Sequence, residues 1–99
     1  MNTLTYKKTS ERLEVTLSGD FNLNTVKKIS DLLDDRSELF IDFGQARFAN
    51  SKAVIFLHKI MNSKPHVTVR LKNPPKIFFE LLKTLGLHKE WNLDEIVEP

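Results

Sequence analysis

Cysteine is absent from this chain, which excludes a disulfide framework and any cysteine-ligated zinc or iron–sulfur site. Glycine is nearly as scarce. Gly19, Gly44 and Gly86 stand alone in separate turns, so no glycine-rich phosphate loop can be assembled from them. No apolar run approaches the roughly 20 residues of a membrane span, and the opening MNTLTYKKTSERLEV holds no apolar core of signal-peptide length. These absences lead to the expectation of a soluble, cytoplasmic protein without direct membrane insertion. A strong charge of one sign is also missing: 15 basic and 13 acidic side chains leave a formal charge of +2. The longest basic runs are the pairs Lys7–Lys8 and Lys27–Lys28, whereas a nucleic-acid surface concentrates its charge on one face. No nucleic-acid partner is expected.

What the chain does have is enough apolar material for one core. Its 99 residues are 40% apolar and include seven phenylalanines, which suits a single domain over residues 1–99. Thr3 to Lys8 reads as a short strand with Leu4 and Tyr6 on one face, and Thr9-Ser10-Glu11 supplies a turn. Leu13, Val15 and Leu17 then alternate with Glu14, Thr16 and Ser18, the period-2 signature of a half-buried strand, so the two should form an antiparallel hairpin. After Gly19-Asp20 breaks the pattern, Val26, Ile29, Leu32 and Leu33 recur at helical spacing, with Asn24 or Thr25 able to cap that helix.

Leu39 to Phe43, interrupted only by Asp42, fits a central strand covered on at least one face. The stretch from Ser51 to Asn62 is apolar around most of a helical circumference (Ala53, Val54, Ile55, Phe56, Leu57, Ile60, Met61) and should be a largely buried helix. Val67, Val69 and Leu71 alternate with Thr68, Arg70 and Lys72 as a further strand. Asn73-Pro74-Pro75 ends it and starts a helix whose stripe is Ile77, Phe78, Leu81, Leu82 and Leu85, with Gly86 as a C-terminal cap. Leu93 to Val97 adds a last short strand. The order β-β-α-β-α-β-α-β implies an α/β domain with a mixed, mostly parallel sheet.

The chemistry-bearing residues do not assemble a catalytic or metal centre by spacing. Asp34-Asp35 falls at a helix end, Asp20 in a turn, Asp42 at a strand end, and Asp94, Glu95 and Glu98 in an acidic tail. His58, His66 and His88 share no ligand spacing; His58, on the buried helix, reads as a hydrogen-bonded edge residue. Ser51 has no His/Asp company and no hydrolase elbow around it. It stands instead in the first turn of a helix, where free backbone N–H groups and the positive end of the dipole meet. There a hydroxyl is either a plain cap or a place where phosphate is electrostatically welcome.

Three stretches resemble the STAS domain, the module shared by sulfate transporters and bacterial anti-sigma factor antagonists. They are Gly19-Asp20-Phe21-Asn22-Leu23, the strand and loop from Leu39 to Ser51, and Asn73-Pro74-Pro75 with the later Leu81-Leu82-Lys83-Thr84-Leu85-Gly86-Leu87. In antagonists of that family the start of the second helix reads Asp-Ser-Ser/Thr-Gly, and its first serine is phosphorylated by a partner anti-sigma kinase. The matching residues here are Asn50-Ser51-Lys52-Ala53. Ser51 keeps the phosphoacceptor position; the aspartate, second hydroxyl and glycine are replaced.

The resemblance implies a non-catalytic, cofactor-free signalling module in transcription regulation that binds an anti-sigma factor, a serine kinase or a regulatory ATPase. Binding would use Phe48, Ala49, Asn50, Ser51, Lys52, Phe56 and Lys59, with a phospho-switch at Ser51. The alternative is a non-switching STAS subunit of a lipid-transport ABC system or of a stress-signalling scaffold, which the departures at Asn50, Lys52 and Ala53 favour. A small-molecule or nucleotide-binding domain is a third reading, without any nucleotide motif behind it.

Overall fold

The computed structural model describes residues 4–44, 46 and 49–98. The chain opens with an antiparallel hairpin, β1 (Leu4–Lys8) and β2 (Arg12–Leu17), in register Leu4 to Leu17 and Lys8 to Leu13. The helix α1 (Leu23–Leu33) then leads to β3 (Glu38–Asp42), α2 (Ser51–Ser63) to β4 (Thr68–Lys72), and α3 (Lys76–Thr84) with a one-turn α4 (Leu93–Ile96) to β5 (Val97–Glu98). The strands lie in the order β1-β2-β3-β4-β5, and every pairing after the hairpin is parallel.

Because each crossover advances in the same direction with the same hand, the helices share one face of the sheet. The side chains record this directly. Leu13, Val15, Leu17, Leu39, Ile41, Val69 and Leu71 are buried, whereas the alternate positions Glu14, Thr16, Phe40, Arg70 and Lys72 are at least partly open to solvent. On that helix-free face the Arg12 guanidinium lies 5.2 Å from the Phe40 ring and pairs with Glu14 at 3.3 Å. Such an exposed pair adds little to stability.

The core between sheet and helices is organised by aromatic contacts. Phe21 and Phe43 meet edge-on at 5.2 Å, Phe43 reaches Phe78 at 5.2 Å, and Phe78 reaches Trp91 at 5.8 Å. These four rings run from the start of α1 to the C-terminal segment and are all buried. The ends of α1 and α2 are tied down by cations that donate to backbone carbonyls. Arg36 reaches Thr9 O and Leu32 O, and Lys64 Nζ reaches Asp34 O at 2.8 Å.

Three sequence expectations are corrected. The cap of α1 is Asn22, not Asn24 or Thr25: its Oδ1 accepts from Thr25 N at 3.0 Å, which closes the first turn two residues earlier. The segment expected as a strand from Leu93 to Val97 is one helical turn followed by a two-residue strand. Asn92 precedes Asp94 and Glu95 there, and acidic side chains at a helix start favour the turn. The helix from Ser51 is also less completely buried than its composition suggests, since Ile55 is 37% exposed. The expected strand residue Thr3 lies outside the described residues.

Two substitutions separate packing from backbone strain. Phe78→Ala empties the centre of the aromatic row and is expected to cost about 3–5 kcal/mol in urea unfolding. Gly86 has φ +73° with open space where a Cβ would be, so Gly86→Ala should cost about 1–2 kcal/mol from conformation alone.

Candidate partner-binding site at the paired helix starts

The loops that lead into α1 and α2 are joined to each other. Phe21 and Ala49 form an isolated parallel bridge, and Asn50 N–H donates to Phe21 O at 2.9 Å. The helices that follow therefore begin side by side, each with an asparagine cap. Asn22 closes α1, and Asn50 Oδ1 accepts from Lys52 N at 2.8 Å to close α2. An open groove of about 290 Å³ lies between the two starts, lined by Asn22, Leu23, Asn24, Asn50 and Lys52. Lys52 is the sole formally charged side chain of that lining, and both helix dipoles present their positive ends there. The local field favours an anion.

Upstream, the turn out of β3 is fixed by Asp42, whose Oδ1 accepts from Gly44 N at 2.9 Å. Gly44 has φ +48°, and a Cβ there would sit 3.0 Å from Leu17 O, so this turn requires glycine.

Ser51 is the first residue of α2 and is half-buried. Lys52 and Lys59 are exposed and Phe56 is half-buried. Ala49 is different: at 2% exposure its methyl belongs to the core. Its backbone builds the bridge to Phe21 instead. Phe48 lies outside the described residues.

The residue missed by the sequence reading is Ile55. Lys52, Ile55, Phe56 and Lys59 follow the i, i+3, i+4, i+7 spacing of one helical stripe, and α2 carries no acidic residue. An apolar side chain at the centre of a cationic stripe is left facing solvent. Helical periodicity could not single it out, because the run around it is apolar on nearly every side.

His58, further along α2, is hydrogen-bonded at the edge of the core: its Nδ1 accepts from Trp91 Nε1–H at 2.8 Å. Among the described residues no three His, Asp or Glu side chains come together as a metal site, and no helix is long and apolar enough to cross a membrane.

No protein-family model and no curated protein sequence matches the chain. Solved structures do. The anti-sigma factor antagonist SpoIIAA in its unphosphorylated form superposes with a TM-score of 0.62 at 16% identity, over 81% of each chain. The Bacillus cell fate determinant SpoIIAA in the phosphorylated form gives 0.61 at 17% identity, over 96% of this chain and 88% of that one.

The cap at Asn50 is testable on its own. Asn50→Ala should destabilise the fold by about 1 kcal/mol in chemical unfolding, while Asn50→Asp, which keeps the acceptor, should leave stability within a few tenths of that of the parent. By its strand order, its single helix-covered face and these superpositions, the chain has the fold of SpoIIAA, the STAS fold.

Proposed function

We propose that the chain is a non-catalytic regulatory module that binds a protein of the anti-sigma factor or serine-kinase class through the exposed stripe of α2. The observation that carries this reading is the solvent-facing Ile55 between Lys52 and Lys59, next to Ser51 and the paired helix starts. Exposed large apolar side chains inside a charged frame are the usual anchors of protein interfaces. The stripe fits a partner surface with an apolar recess rimmed by carboxylates.

Ser51 is the proposed switch. SpoIIAA, whose fold this chain shares, has been solved both with and without phosphate. A phosphate on Ser51 would bring about two negative charges to the start of α2. Lys52 and the two dipoles would stabilise them in the free protein, and the same charges would repel an acidic partner. Phosphorylation then weakens binding without unfolding the domain. In the alternative role, a non-switching subunit of a larger assembly, the stripe binds but Ser51 remains a first-turn hydroxyl. The replacement of an acidic residue by the capping Asn50 favours that reading, because the Asn50 amide cannot take the hydroxyl proton as a carboxylate would.

Two measurements separate the readings. Incubation with ATP and a candidate serine kinase of the anti-sigma class, followed by mass spectrometry, should place one phosphate on Ser51; an unmodified Ser51 removes the switch. Ile55→Asp should weaken partner binding by tenfold or more in calorimetry, with stability changed by no more than about 0.5 kcal/mol. Retained affinity in that variant removes the stripe as the interface.

A further inference from the structure

At the other end of α2, and independent of the Ser51 surface, lies a groove of about 550 Å³. It opens where β5 stops covering β4. The two strands pair at Leu71 and Lys72 only, and the preceding segment coils into α4 rather than continuing along the edge. Its volume falls in the range of small-molecule sites. Met61, Val69 and Ile96 supply apolar wall, and Glu90 and Glu95 stand among the polar lining.

Carboxylates outnumber cations in the lining of this groove, Glu90 and Glu95 against Arg70. From Glu90 to Glu98 the chain carries four carboxylates and no lysine or arginine. The helix opposite contributes only His58 and Asn62 to the polar lining. His58 is held as an acceptor at Nδ1 by the Trp91 indole, so the neutral ring carries its proton on Nε2. That nitrogen faces Glu90 Oε2 at 3.2 Å, and the Asn62 amide 3.0 Å away must turn its oxygen, not its nitrogen, to the same N–H. One N–H occupies one of the roughly four acceptor positions of a carboxylate, so Glu90 is oriented at the groove with acceptor capacity to spare. Glu95 forms no ion pair among the described residues. Arg70 also borders the groove, but it alternates with the buried Val69 and Leu71 and so belongs to the helix-free face of the sheet.

We propose that this groove is a binding site for a small organic cation, a protonated amine carrying an apolar body. The ammonium sits between Glu90 and Glu95, and the body lies along Met61, Val69 and Ile96. A carboxylate of the same shape meets like charge in the same place.

Trp91, the single tryptophan, borders the groove and reports on it through its fluorescence. Titration with 2-phenylethylamine should give a saturable change, and phenylacetate should give none. Glu95→Gln should weaken amine binding about tenfold, since a charge-assisted bond is lost, while Arg70→Gln should leave it unchanged or tighter. Glu90→Gln should weaken it too, with thermal unfolding recorded alongside to confirm that the His58–Trp91 contact is intact. The proposal is overturned by the absence of a saturable response up to about 10 mM amine, by equal binding of phenylacetate, or by an unaltered affinity in Glu95→Gln.

Discussion

The backbone contact between Phe21 and the segment Ala49-Asn50 is the constraint on which the end of the molecule bearing the candidate site rests. The Phe21 ring is fully buried against Phe43 and Phe78, while its carbonyl accepts the Asn50 N–H. One residue therefore belongs both to the deepest part of the core and to the rim of the candidate site. Two helix starts, each bearing an unfavourable excess of free N–H groups, are held side by side because that pair of segments is bridged. Both are satisfied locally by asparagine, so bringing them together leaves a field rather than a set of broken hydrogen bonds.

Much of this was legible in the amino-acid order because local physics decided it. The alternation of Leu13, Val15 and Leu17 with polar residues is a direct consequence of a sheet covered on one face, and the burial follows it. Asn50 and Ser51 could be placed at a helix start from capping chemistry alone. Asn22 could have been identified in the same way, since its side chain serves Thr25 three residues on.

What stayed illegible depended on distance. His58 and Trp91 lie 33 positions apart, and nothing in either neighbourhood announces their hydrogen bond. The exposure of Ile55 was hidden for another reason. In a helix apolar nearly all round, which side faces water is set by how its neighbours pack, and α1 and α3 both lie against α2.

The strand order of the sheet is also the order of the chain. Every strand finds its partner already made when it emerges during N-to-C synthesis, with no later segment needed to complete an earlier pairing. Sheets whose strands neighbour one another in sequence keep loop-closure costs low, and they can grow by accretion from the first hairpin. On that route the elements that carry the Ser51 surface are in place once β4 has paired, while the segment bearing Glu90 and Glu95 docks last. The two ends of α2 would thus mature at different times on the ribosome: a nascent chain gains the Lys52–Lys59 stripe before the groove lined by Glu90 and Glu95.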